Sequence, residues 1–112
     1  MSIEEELKEI KFRMGLLRDG TELSMFIYDC NVKEDNWKSI REYFRELDDR
    51  VYNGEKINSS SYEAEILSLV NNKGLDYHFA EGVAKLQWED GRYKEVFEEL
   101  YKDSAKFKGL FK

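Results

Sequence analysis

Apolar residues recur along this chain at the spacing of α-helices, with polar residues between them. The first segment carries five apolar residues separated by 4, 3, 4 and 3 positions, which we call the N-terminal stripe: Ile3, Leu7, Ile10, Met14 and Leu17. This spacing places all five on one face of a helix. The dipeptide Asp19-Gly20 then predicts the end of that helix, because glycine tolerates the left-handed conformation that a helix end needs.

The same spacing continues towards the carboxyl end, where no proline interrupts it. Polar side chains able to cap a helix precede the successive apolar segments: Ser2, Thr21, Asn31, Ser60 and Asp76. Asparagine and glycine pairs follow several of these segments and predict their ends. Since no strict strand alternation of useful length appears, the pattern predicts an all-α fold, a compact bundle of five to six short amphipathic helices.

Length and composition indicate a single helical domain over residues 1–112. Aromatic residues make up 14% of the chain, which argues against disorder because disordered chains lack large apolar side chains. The longest apolar run, Met25–Tyr28, is far shorter than the ~20 residues of a membrane-spanning helix. The acidic start, Met1–Glu6, is unlike a secretory signal, and the single cysteine, Cys30, has no disulfide partner in the chain. We therefore expect a cytoplasmic protein without membrane contact.

Charge is unevenly distributed. Residues 102–112 form a basic tail with four lysines and one acid, a net charge of +3. Since the whole chain carries −6, residues 1–101 carry −9. An acidic body repels phosphate groups, so direct binding to nucleic acid is not expected.

The residue types that carry chemistry do not form a recognisable motif. His78 is the only histidine, and Asp76 lies two positions away, where side chains do not share a helix face. The glycines occur singly rather than in a phosphate-binding loop; Gly82, in the middle of a predicted helix, suggests a close approach of two helices. We expect no catalytic residue, no cofactor and no metal, and hence no enzyme.

Surface residues remain as candidates for binding. Tyrosine and tryptophan exceed what one small core needs, and both are enriched at protein interfaces. Acidic side chains occupy the polar side of the last helix, although such a face is most often simply solvated. The predicted partner-binding surface consists of Tyr43, Tyr52, Trp88, Glu95, Glu98 and Glu99.

The order of motifs resembles a known family. A segment reading Tyr28-Asp29-Cys30-Asn31-Val32 precedes a long helix, Lys73-Gly74-Leu75-Asp76 follows a later helix, and Gly91-x-Tyr93-Lys94-Glu95 opens the last one. Over roughly residues 22–101, this order is similar to that of the small uncharacterised Bacillus YhaI-like family of helical cytoplasmic proteins. The resemblance implies a helical fold in a bacterial cytoplasm, and it assigns no role to any residue.

Three functions stay open at this point. The favoured prediction is a non-catalytic helical regulatory protein that self-associates into a homo-oligomer and acts on a protein partner. The alternative is an acidic inhibitor of the phage type, a DNA mimic that occupies a nucleic-acid-binding protein; the acidic body motivates it, but bases are interleaved with the acids. An enzyme or ligand-binding bundle is the third, supported only by His78 and the tyrosines.

Overall fold

Six α-helices and one short 3₁₀ turn follow one another along the chain, without a strand, in the computed structural model, which describes residues 2–111. The all-α prediction is thus confirmed. The elements are α1 (Ile3–Asp19), α2 (Glu22–Asp29), α3 (Glu34–Tyr52), α4 (Ser59–Val70), α5 (Tyr77–Glu89), α6 (Lys94–Tyr101) and the 3₁₀ turn (Lys108–Phe111). No helix within the described range combines the length and the apolar character needed to cross a membrane.

Three of the predicted helix starts are confirmed by capping hydrogen bonds. The side chains of Ser2, Thr21 and Asp76 each accept a hydrogen bond from a backbone N–H of the following turn, at 3.1, 3.0 and 3.0 Å. These contacts satisfy N–H groups that have no partner within the helix. The sequence therefore specifies where α1, α2 and α5 begin.

Two predicted starts are each wrong by two residues. Helix α3 begins at Glu34, and Asn31 instead takes a left-handed conformation (φ +56°) in which its side-chain oxygen accepts a hydrogen bond from Arg13. Ser60 lies inside α4, because Asn58 caps that helix first. At α4 a second polar residue, Asn58, caps the helix two positions earlier, whereas α3 begins after Lys33 without a side-chain capping hydrogen bond. Spacing alone does not resolve either start.

The core lies among α2 to α6. Its largest fully buried side chains come from all five of these helices: Tyr62, Phe44, Phe97, Ile27, Ile40, Leu47, Ile66, Val83 and Val96. Phe97 is the centre of an aromatic cluster, with ring centroids 5.3 Å from Trp88, 5.3 Å from Tyr101 and 5.4 Å from Phe107. The predicted basic tail therefore folds back onto the core through Phe107. Lys112 and the side chain of Lys108 lie outside the described residues.

The close approach predicted from Gly82 is present between α2 and α5. A Cβ atom placed on Gly82 would lie 2.6 Å from Cζ of Phe26, which is shorter than any ordinary carbon contact. The Phe26 ring is itself stacked on Phe79 at 5.7 Å, so it cannot move without losing that contact. Gly82 thus offsets its cost to helix stability by permitting this packing.

Candidate functional site

The N-terminal stripe faces solvent along the whole of α1. The exposed fractions of its side chains are 75% for Ile3, 49% for Leu7, 52% for Ile10, 55% for Met14 and 47% for Leu17. Among residues 2–111, eight large apolar or aromatic side chains are exposed, and these five are the ones that share a single helix face. A surface helix normally turns its apolar face inward, so α1 has the reverse orientation.

The opposite face of α1 explains this orientation. Leu16 is buried against α2, and Phe12 is half-buried against the core. The guanidinium of Arg13 lies 4.0 Å above the ring of Tyr28 and donates a hydrogen bond of 2.8 Å to Asn31. Helix α1 therefore packs on the protein through a face that carries only two large apolar residues. The face with five apolar residues, the N-terminal stripe, remains exposed to solvent.

Polar contacts with the start of α3 fix α1 further. Lys8 Nζ lies 3.2 Å from Asp35 Oδ1 and 3.4 Å from Glu34 Oε1, and the hydrogen bond to Asp35 is the main reason that the pKa of Lys8 is raised. Glu9 accepts a hydrogen bond of 3.4 Å from the backbone N–H of Glu34. Because charged side chains of α1 point at the protein, rotating the helix to bury the stripe would break these contacts.

Charge changes sign along α1. Residues 3–10 hold four glutamates and one lysine, a net charge of −3, whereas residues 11–19 hold three bases and one acid, a net charge of +2. Glu4 and Arg18 are 14 residues apart, close to four helical turns, and therefore border the same side of the N-terminal stripe near its two ends. The exposed apolar face is thus flanked by acid at one end and base at the other.

The aromatic residues of the predicted partner-binding surface have different environments. Tyr52 projects from the end of α3 and is 86% exposed. Tyr43 is half-buried and stacks on Tyr62 at 6.2 Å, and Trp88 is half-buried against Phe97. Much of the surface of Tyr43 and Trp88 is therefore used in the fold, and Tyr52 alone of the three reaches fully into solvent.

The three predicted glutamates lie together in a cleft between the end of α3 and α6. This acidic cleft has a volume of about 460 Å³ and is lined by Val51, Glu95, Glu98, Glu99, Lys102 and Phe111. Lys102 pairs with Glu99 at 3.1 Å rather than with Glu98, four residues before it. The cleft is therefore lined by carboxylates together with the apolar side chains of Val51 and Phe111. This combination is expected where the polar side of a helix lies next to the edge of the core.

His78 is exposed at the start of α5, and its Nδ1 atom lies 3.2 Å from Oδ1 of Asp76. The expectation that these residues are kept apart is wrong, because Asp76 precedes the helix and its side chain folds back over the first turn. The contact lowers the pKa of Asp76 through its hydrogen bond with His78. Within residues 2–111, no group of three or more His, Cys, Asp or Glu side chains is placed to hold a metal ion.

The remaining chemical candidate, Cys30, is half-buried at the end of α2. Burial raises the pKa of its thiol, and the neighbouring Asp29 raises it further. A reactive cysteine needs the opposite environment, one that stabilises the thiolate. Cys30 therefore behaves as a small packing residue.

No family model, no curated protein and no solved structure matches this chain. The similarity to the YhaI-like family remains a prediction from the order of its motifs.

Proposed function

We propose that this chain is a non-catalytic helical protein-interaction protein with a regulatory role, which self-associates and acts on a protein partner. The observation that supports this proposal is the N-terminal stripe, five apolar side chains exposed in a row on one helix. Monomeric proteins rarely leave a contiguous apolar surface of this kind in water unless another molecule covers it. The docking surface is therefore α1.

The side chains available for chemistry add to this reasoning. His78 lies in solvent beside Asp76, and Cys30 is half-buried with a thiol whose pKa is raised by burial. Within residues 2–111, the His78 ring is hydrogen-bonded to Asp76 alone and Cys30 to no other side chain, so neither belongs to a hydrogen-bonded pair of nucleophile and base. The proposal therefore assigns no catalytic residue and no cofactor, and it places the protein in a bacterial cytoplasm, as expected from the sequence.

The acidic cleft favours a second candidate function. Glu95, Glu98 and Glu99 present three carboxylates side by side, which is how a mimic of a phosphate backbone would engage a basic protein. This decoy function predicts binding that salt weakens and DNA competes away. It ranks second because Lys102 lines the same cleft and pairs with Glu99.

A comparison of three variants separates the two functions. Tagged wild-type protein, Leu7→Glu/Met14→Glu and Glu95→Lys/Glu98→Lys/Glu99→Lys would be used to recover partners from lysate, each with and without DNA. The interaction proposal expects a partner that the stripe variant loses, that the cleft variant retains and that DNA does not displace. The decoy function expects the reverse for all three.

The control variant is Ser60→Glu/Ala64→Glu, which adds the same two charges to exposed positions of α4. It should recover the same partner as the wild type, because α4 lies outside the proposed surface. Partner recovery that is unchanged in the stripe variant contradicts a docking role for α1.

A further inference from the structure

The N-terminal stripe also indicates which molecule covers it, an inference that rests on the proposed function. We propose that a second copy of this chain binds the stripe through its own α1, with the two helices antiparallel, so that the protein is a symmetric homodimer. The spacing of the stripe, the charge pattern of α1 and the position of the bundle behind α1 each lead to this occupant.

The spacing of the stripe residues fits pairing with another helix. Apolar residues separated by 4, 3, 4 and 3 positions follow the 3.5-residue average repeat of a coiled-coil seam. Helix α1 has 17 residues and is therefore about 25 Å long. The five stripe residues can form five layers of side chains against a partner helix. The face that the stripe presents is therefore shaped to interlock with a second stripe of the same kind.

The charges of α1 select the orientation. In an antiparallel pair, Glu4 lies beside Arg18 of the partner subunit, and the twofold symmetry forms the same contact at the other end. The acidic half of each helix then faces the basic half of the other. In a parallel pair, the glutamates at residues 4–6 of both copies would lie at one end and Arg18 of both copies at the other, which is unfavourable.

Symmetry and space are consistent with this arrangement. An antiparallel helix pair is isologous, so it closes as a dimer and leaves no stripe exposed. The rest of the protein contacts α1 from the opposite face, through Phe12 and Leu16, and leaves the stripe accessible. The two stripes together bury on the order of 1,000 Å², the lower limit of specific interfaces, so we expect a dissociation constant in the micromolar range.

Sedimentation equilibrium tests whether a second copy is the occupant. Wild-type protein should shift from monomer to dimer between about 1 μM and about 500 μM, a range that brackets micromolar affinity. Met14→Glu should raise the dissociation constant at least tenfold, because it places a charge inside the apolar seam. Ala64→Glu, the same charge on an exposed residue of α4, should leave the dimer unchanged.

Cysteine cross-linking tests the orientation. In a background with Cys30→Ser, the variants Ile3→Cys and Leu17→Cys would be oxidised separately and then as a mixture. Antiparallel helices bring position 3 of one copy near position 17 of the other, so the mixture should cross-link and neither variant should do so alone. Cross-linking of each variant alone would show parallel helices and overturn the orientation.

Two outcomes overturn the identity of the occupant: a wild-type monomer at every concentration, and a dimer that Met14→Glu does not weaken. A wild-type monomer would also remove self-association from the proposed function, but neither outcome decides whether the chain acts on a protein partner. A monomer that loses its protein partner through the Leu7→Glu/Met14→Glu change would retain the interaction function and exclude the second copy. Far-ultraviolet circular dichroism of each variant verifies that the exposed substitutions leave the helices intact.

Discussion

Helices α1 and α6 each carry a row of apolar residues, but only α6 turns that row towards the core. In α6 the apolar residues Val96, Phe97 and Leu100 are buried in the core, whereas in α1 the N-terminal stripe faces solvent and charged residues such as Lys8 and Arg13 face the protein. An apolar helix face is buried only where a complementary face exists within the same chain. The core is already filled by α2 to α6, so α1 contributes Phe12 and Leu16 to it and has its main apolar surface available for another molecule.

This contrast has consequences for stability and for association. Substitutions around α6 should change the free energy of unfolding and leave association unaffected. Substitutions on the N-terminal stripe should do the opposite. Each prediction below compares a residue of the core helices with a counterpart in α1, from the largest expected effect to the smallest.

Phe97→Ala should have the largest effect on stability. Phe97 is fully buried and contacts the rings of Trp88, Tyr101 and Phe107, so its loss leaves a cavity and should cost about 3–5 kcal/mol of unfolding free energy. Met14→Ala should change the same quantity by less than about 0.5 kcal/mol, because Met14 is 55% exposed. Urea unfolding at a protein concentration well below the dimer dissociation constant, where the monomer dominates, measures both.

A loss of similar size in the two variants would contradict this contrast. Phe97→Leu is the control for volume, since it keeps most of the side chain in the core. It should cost clearly less than Phe97→Ala.

Gly82→Ala and Gly15→Ala should change the free energy of unfolding in opposite directions. Both glycines lie within helices, where alanine is favoured by about 1 kcal/mol. At Gly82 the added methyl group collides with Phe26, a cost of about 1–3 kcal/mol that outweighs this gain. At Gly15 no atom lies within 4 Å of the added Cβ, so stability should rise.

Thermal unfolding of the two glycine variants is the measurement. The double variant Phe26→Leu/Gly82→Ala controls for the collision, because a smaller side chain at position 26 should recover part of the loss. Stabilisation by Gly82→Ala alone would contradict the 2.6 Å distance between a Cβ atom at position 82 and Cζ of Phe26.

Removal of the capping side chains of Asp76 and Ser2 should give the smallest of these differences in the free energy of unfolding. Asp76→Ala should lower global stability because α5 is part of the core, whereas Ser2→Ala should have less effect because the first turn of α1 is exposed and can open locally. The hydrogen bond with His78 lowers the pKa of Asp76 in the folded state. Its contribution is therefore complete above the unfolded pKa of about 3.9 and is lost as the pH falls through the lower folded value.

Unfolding of the wild type and of Asp76→Asn between pH 5 and pH 2, a window of about three units around that unfolded pKa, tests the pH dependence. Asparagine retains the capping oxygen and has no proton to gain, so its stability should decline less over this range. Equal declines would contradict a stabilising role for the Asp76 carboxylate.

Much of the fold could be predicted from the sequence. Helical spacing gave the all-α class, and local capping chemistry at Ser2, Thr21 and Asp76 gave three helix starts. The packing role of Gly82 followed from its unfavourable position inside a helix. The helix class and the helix starts depend on neighbouring residues along the chain, which is why a single sequence contains them, whereas the identity of Phe26 as the residue against Gly82 comes only from the fold.

The candidate site could be predicted only in part. Periodicity identified the N-terminal stripe as one helix face, but it does not say whether that face is buried, because burial depends on the other helices. Phe12 and Leu16 form a second apolar pair on the opposite face, and they are the one signal in the sequence that α1 could pack the other way. Likewise, side-chain counts indicated a surplus of aromatic residues, whereas the core uses much of Tyr43 and Trp88.

The contrast between α1 and the core is tested most directly by hydrogen exchange of the backbone amides at two protein concentrations, well below and well above the dimer dissociation constant. Amides of α3, α5 and α6 should exchange slowly and at the same rate at both concentrations, because their protection comes from the core. Amides of α1 should exchange faster at the low concentration and slow at the high one, where a second stripe covers the first. Protection of α1 that is the same at both concentrations, or a change confined to the acidic cleft, would contradict the central claim.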